Sequence, residues 1–332
     1  MPHPETPQIS IDSITHNLYR ITLPMPFRLR PVNVAALVHE RGVALFDTGM
    51  NMGRAFPVLE ASLKKIGRSI EDIDHIFITH CHADHCGLAG KIKAISGGAI
   101  HMSESGRQIL RDNHDHARVA DRVRAFYMAQ GMAEDTVNTY LIFLRYFRQA
   151  TVPFAVDECL APHTRYAMGG TEFEAVPTPG HARDHVCYFF PKERILLSGD
   201  HLLPENLFNL RPDLFCPDFR PAQAMLDSLA RVENLPVTRV VPSHGDSFSN
   251  LAPVAAEMKR ISGEKRRRLR SILREEPGTA VRISEKLFGG NLPGFDGFLA
   301  LNETYAHLME LRHEGIIRES RNNGHYVYTA HC

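Results

Sequence analysis

The sequence predicts an α/β layered fold carrying a helical insertion and a mainly helical C-terminal segment. Three observations predict it. Short β-type runs alternate with helical periodicities between residues 18 and 103, and such alternation builds sheets covered by helices. Residues 104–150 interrupt the alternation with helical patterns before strands resume. After about residue 252 the pattern changes to amphipathic helices.

The elements follow in order. "LYRITLP", "VNVAALVH" and "GVALFDTG" are β-type runs separated by Pro, Gly and charged turns. "GRAFPVLEASLKKIG" places apolar residues at helical spacing and stops at glycine. "IDHIFITH" is a strand running into a histidine cluster, "GLAGKIKAISG" a helix and "AIHMS" a strand. Two or three helices are expected in the insertion. Strands return at "TEFEAVPTPG", "VCYFF" and "RILLSGD", then comes a helix, "AQAMLDSLARVEN", and the strand "RVVPSHG". The C-terminal segment reads as a basic helix stopped at Pro277–Gly278, two more helices and a hairpin turning at Asn323–Gly324. Three helices followed by a hairpin is the order of a winged helix.

At ~150 residues per domain, 332 residues suggest about two domains. The boundaries read as 1–252, with the insertion at about 104–150, and 253–332. Lys+Arg and Asp+Glu are both 38, so bulk charge argues for neither nucleic acid nor membrane as partner. No stretch approaches the ~20 apolar residues of a membrane span. "MPHPETPQIS" has no apolar run, so no secretory leader is expected and the cytoplasm is the expected compartment. Six scattered cysteines fit reduced thiols.

Histidine, at 19 residues, is the unusual count. "THCHADHCG" at 79–87 holds three of them. His80 and His82, two apart in extended chain, project to one side and can grip one ion. Asp84 and His85 follow where the loop turns, facing a second ion. Three distant segments each add one ligand-type residue just after a strand: "TPGH" with His181, "LSGDH" with Asp200 and "VPSHG" with His244. The alternative is a loop of solvated histidines. With the added segments the stoichiometry closes: His80, His82 and His181 for one ion; Asp84, His85 and His244 for another; Asp200 left to bridge. Each ion keeps an open position for water, as a catalytic site requires. Imidazole and carboxylate suit Zn, with Fe or Mn also compatible.

"FDTG" (46–49), "THCHADH" (79–85), "TPGH" (178–181), "SGD" (198–200) and "PSHG" (242–245), in that order, resemble the metallo-β-lactamase superfamily over roughly residues 10–250. The resemblance implies an αββα sandwich with two divalent metal ions at one edge. It also implies the ligand roles just given, with Asp47 steadying a ligand histidine from behind. One subgroup of that superfamily, with a winged-helix domain after the last histidine, is similar end to end. It includes a mitochondrial endoribonuclease.

The expected activity is hydrolysis by a metal-bridging hydroxide. Asp84 is a ligand that could also shuttle protons. His185, in "HARDH", could touch substrate or support a ligand from behind. Cys81, Cys86 and Cys187 read as small packing residues, His201 as facing away, and His114 and His116 as a solvated helix face or lid. The leading function is cleavage of an ester, thioester or lactone, with an acyl-CoA-type thioester among the candidates, because an aromatic-rich insertion over the metals suits an acyl chain. The alternatives are a phosphodiesterase or endoribonuclease, suggested by Lys265, Arg266, Arg267, Arg268, Arg270 and Arg274, and a mononuclear iron persulfide dioxygenase-like enzyme. The third C-terminal helix carries few bases, so that domain is expected to pack on the catalytic domain or a second subunit rather than read nucleic acid. A small-molecule substrate is therefore the expected partner.

Overall fold

The computed structural model describes residues 10–331 apart from 27–29, 205–209, 291 and 293. The expectation of no leader rests on the first ten residues, nine of which lie outside the described residues. Among the described residues no helix is long and apolar enough to cross a membrane.

Seven strands form the first sheet in sequential order: β1 (Ser10–Ser13), β2 (Leu18–Leu23), β3 (Val32–Val38), β4 (Val43–Phe46), β5 (Ile73–Phe77), β6 (Ala99–Ser103) and β7 (Glu158–Leu160). β1 to β4 pair antiparallel and β4 to β7 parallel. Parallel pairs need crossovers, and helices α1 (Ala55–Lys65), α2 (Ala83–Cys86) and α3 (Ala89–Ser96) lie in them. The β6–β7 crossover contains the insertion as three helices, α4 (Glu104–His114), α5 (His116–Ala129) and α6 (Glu134–Arg148). β8 (Arg165–Met168), β9 (Thr171–Pro177), β10 (Val186–Phe190), β11 (Ile195–Gly199) and β12 (Arg239–Pro242) form the second sheet in the order β12-β11-β10-β9-β8, with α7 (Pro221–Glu233) between β11 and β12.

The period-two alternation explains the layers. On β3 and β4, Val32, Val34, Ala36, Val43 and Leu45 face α1 and α3, while Ala35, Leu37, Ala44 and Phe46 face the other sheet. On β10, Val186, Tyr188 and Phe190 meet them, and Cys187 and Phe189 turn outward to α7. Both faces of these strands are covered, so they read as continuous apolar runs. An αββα sandwich results, with an aromatic centre in which Phe46 stacks on Phe77 and meets Phe173, Tyr188 and Phe190 edge-on.

The C-terminal elements are α8 (Leu251–Glu275), α9 (Ala280–Phe288), α10 (Phe295–His313), β13 (Ile317–Asn322) and β14 (His325–Ala330). Their order follows the sequence reading. Asn323 and Gly324 take positive φ of 47° and 85° in the hairpin turn, as a type I′ turn requires. These elements do not close a core by themselves. Leu269, Leu273, Ile283, Leu287, Phe298, Leu301 and Tyr328 share one apolar cluster with Val119, Val123, Tyr127, Val137 and Tyr140 of α5 and α6. The insertion thus packs on the C-terminal helices. α10 is buried almost continuously from Ala300 to Leu311. It starts at Phe295, eight residues before the apolar-periodic run "ETYAHLMELRHEGII" that begins at Glu303.

Candidate metal centre

β4, β5, β11 and β12 all end at the same edge of the sandwich, and the loops that leave them carry the candidate ligands. β5 ends at Phe77, so His80 and His82 sit in the following loop rather than on the strand. His82 is the residue that starts α2, whose first turn holds Asp84 and His85. His181 follows β9, Asp200 follows β11, and His244 follows β12.

The folded chain brings all seven together. Three sets have ligand atoms within 4.8 Å of one another: His80, His82 and His181; His80, His85 and Asp200; and Asp84, His85 and His244. Asp200 stands between the outer sets. Its Oδ2 lies 3.5 Å from His181 Nε2, and its Oδ1 lies 3.5 Å from His85 Nε2 and 3.6 Å from His244 Nε2. Asp84 Oδ2 is 3.6 Å from His85 Nε2 and 3.4 Å from His244 Nε2.

Partners behind the ligands settle which ring nitrogen faces inward. Asp47 is 2% exposed and accepts three hydrogen bonds, from Thr79 N, Thr79 Oγ1 and His85 Nδ1, each at 2.8 Å. Because the Thr79 hydroxyl donates to Asp47, its lone pair accepts from His80 Nδ1 at 2.9 Å. His244 Nδ1 donates to the Pro31 carbonyl at 2.9 Å. Each of these imidazoles spends its N–H outward and turns the Nε2 lone pair inward, the arrangement that metal-ligating histidines use. Asp47 has φ 59°, a region that Asp and Asn tolerate better than other side chains.

The donor chemistry fits cations. His80 Nε2 and His181 Nε2 approach His82 Nδ1 to 2.9 and 3.0 Å. A neutral His82 has at most one proton on Nδ1 to offer, so it can satisfy only one of these two facing nitrogens, whereas a cation among the three would be shared by all. Protons are not favoured there: burial, then the neighbouring imidazoles, hold His80 well below the ordinary histidine range, and burial with His181 brings His82 down to about 3. On the other side, burial opposes charge on His85, yet Asp200, Asp84 and Asp47 outweigh it and raise its pKa. Asp84 is held at about 2 against its burial, chiefly by His85 and His244. Among the described residues, His85 Nε2 and Asp200 Oδ1 are buried without a hydrogen-bond partner, and buried polar atoms left so signal a missing partner such as an ion.

His185 is 1% exposed, contacts Thr178 Oγ1 through Nδ1 at 2.8 Å, and accepts from Asp200 N through Nε2 at 3.1 Å. Both ring nitrogens are engaged in the wall, where the residue holds the Asp200 loop from behind. Gly199 explains the close approach. It has φ +51°, and a Cβ there would lie 2.5 Å from His185 Nε2.

Cys86 and Cys187 are buried packing residues, as expected. Cys81 is half-buried and lines an open cleft of about 740 Å³ beside His82 and His181. α4 and α5 supply Ile109, Asp112, Asn113, Val119 and Val123 to the same cleft, and residues 182–184 and 211–215 complete it. Sequence reasoning missed Asp184 and Arg211. Asp184 Oδ2 accepts from Cys81 N at 2.8 Å and so braces the ligand loop. His114 and His116 are exposed and belong to none of the three ligand sets. His114→Ala should leave turnover within about twofold and stability within about 0.5 kcal/mol of wild type, checked by steady-state kinetics and denaturant titration.

Comparison with known proteins agrees with this geometry. Residues 27–244 match the metallo-beta-lactamase superfamily domain. The probable metallo-hydrolase YqjP of Bacillus subtilis is 28% identical over 329 residues, covering 95% of this chain and 98% of the relative. A crystal structure of a metallo-beta-lactamase family protein from Thermus thermophilus superposes with a TM-score of 0.82 at 26% identity, over 96% of this chain and 100% of that one. A beta-lactamase domain protein from Burkholderia ambifaria shares the fold, with a TM-score of 0.83 at 22% identity over 97% and 94% of the two chains. By its matched span and its ordered His/Asp cluster, the chain belongs to the metallo-beta-lactamase superfamily.

Proposed function

We propose that the protein is a dinuclear metal-dependent hydrolase of carboxylic esters, thioesters or lactones. The observation that carries the reading is the position of Asp200, with one carboxylate oxygen toward His181 and the other toward His85 and His244. His80, His82 and His181 would hold one divalent ion, Asp84, His85 and His244 a second, and Asp200 both. Zinc suits this nitrogen-rich set, and Fe or Mn is compatible with it. Such ions supply Lewis acidity, which acidifies water and stabilises negative charge developing on a substrate oxygen.

The chain's own groups do the rest. Asp84 is 21% exposed in its side chain, so it faces solvent enough to pass a proton as well as to ligate. Ile109, Val119, Val123, Leu214 and Phe215 give the cleft an apolar wall that an acyl chain would cover. The mononuclear dioxygenase-like alternative is separated by metal content: two ions per chain are expected here, and a single iron would favour that alternative. The nuclease alternative is weakened by α10, which is too buried to enter a groove, and in part by α8, where Lys265 and Arg266 of the basic run are paired with Glu303 and Glu314 while Arg267, Arg268, Arg270 and Arg274 stay exposed. These features favour a small-molecule substrate.

A parallel screen of acyl esters, thioesters, lactones and single-stranded RNA, with and without chelator, tests this. Chelator-sensitive turnover of an acyl substrate is expected. RNA cleavage without acyl turnover would overturn it.

A further inference from the structure

The cleft beside the ligands contains cationic side chains of unequal standing. Arg183 is committed: its Nε donates to Asp213 Oδ2 at 2.6 Å. Asp213 is itself occupied, since its other oxygen accepts from Phe215 N at 2.8 Å and Cys216 N at 3.1 Å. Arg211 differs. It lines the cleft with an exposed side chain and makes no ion pair or hydrogen bond among the described residues. Asp213 is the cleft carboxylate whose charge acts on it, and that carboxylate is already engaged by Arg183. Arg211 lines the same cleft as His82 and His181.

The segment that carries Arg211 is held at both ends. Leu210 N donates to Glu303 Oε2 of α10 at 3.0 Å, and Glu303 Oε1 accepts from Lys265 at 2.9 Å and contacts His307 at 3.3 Å. At the other end Arg122 of α5 donates to the Leu214 carbonyl at 2.8 Å, and the Arg118 and Arg122 guanidinium groups lie 5.0 and 4.7 Å from the Phe215 ring centre. Burial works against charge on Glu303, yet His307 and Lys265 bring it down to about 2, so this anchor stays ionised. Insertion and C-terminal helices together fix a guanidinium beside the ligands.

We propose that Arg211 determines specificity by binding a negatively charged oxygen group of the substrate, a carboxylate or phosphate, set off by an apolar stretch from the acyl carbon that is attacked. This rests on the acyl-hydrolase reading above. A guanidinium presents its donors as a fork matched to such groups, so lysine should replace it incompletely.

The test uses full-length, metal-loaded protein and two p-nitrophenyl esters of equal shape, one of glutaric acid with its free carboxylate and one of glutaramic acid, which is neutral. Wild type should prefer the charged ester by about 10- to 100-fold in kcat/KM, through KM. Arg211→Gln should abolish the preference, and Arg211→Lys should restore part of it. Equal preference in wild type and Arg211→Gln would overturn the proposal. If wild type cleaves neither ester, the acyl reading fails, and calorimetry with glutarate and with inorganic phosphate decides on Arg211 alone. Weaker binding by Arg211→Gln would support the anion site, and unchanged binding would overturn it.

Discussion

Asp200→Ala is expected to lower kcat by about a thousandfold or more while the protein stays folded. The side chain faces the ligand histidines, and its Oδ1 is buried without a hydrogen-bond partner among the described residues. The Asp200 backbone is held independently by His185. Stability therefore loses little when the carboxylate goes. What is lost is the one group aimed at both ligand sets. Lewis-acid stabilisation is worth several kcal/mol, and ~4 kcal/mol corresponds to about a thousandfold in rate. Turnover, far-UV circular dichroism and metal content measured on one preparation check this. An Asp200→Ala protein of full activity would contradict a shared carboxylate.

The second large effect is at Asp47, where two substitutions should separate stability from ligation. Asp47→Ala leaves Thr79 N and His85 Nδ1 buried without their acceptor. At roughly 1–3 kcal/mol for each unsatisfied group, destabilisation of about 2–6 kcal/mol is expected. Asp47→Asn keeps an oxygen for Thr79 N and tolerates the positive φ, so stability should fall less. Its amide, however, would set a donor against the His85 Nδ1 proton. His85 then relieves the clash by moving its proton to Nε2, which removes the inward lone pair. Metal affinity or activity should drop by about 10- to 100-fold. Denaturant melts beside metal titrations of both variants read the two effects separately. Loss of stability without loss of metal affinity in Asp47→Asn would refute the tautomer argument.

The clustered candidate ligands were legible because each sits in a short local pattern: His80, His82, Asp84 and His85 in one run, and His181, Asp200 and His244 each beside Pro or Gly after a strand. β3, β4 and β10 were legible because both of their faces are covered and they read as dense apolar runs. β1, β7 and β8 were not, since their three or four residues are mostly exposed or half-buried and show no apolar run. Arg211 and Glu303 escaped for a different reason. Their meaning lies in contacts between residues 93 positions apart, and nothing in "NLRPDLF" announces that Leu210 will meet α10. The C-terminal elements appeared in the expected order, but their partner, the apolar face of α5 and α6, could be named only once the chain was folded.

Anomalous scattering from a crystal of the metal-loaded protein, combined with elemental analysis of the same sample, tests the central claim most directly. Two ions are predicted, one among His80, His82 and His181 and one among Asp84, His85 and His244, with Asp200 reaching both. Full-length protein that binds no ion at these residues, or a single ion with Asp200 turned away from it, would contradict the account.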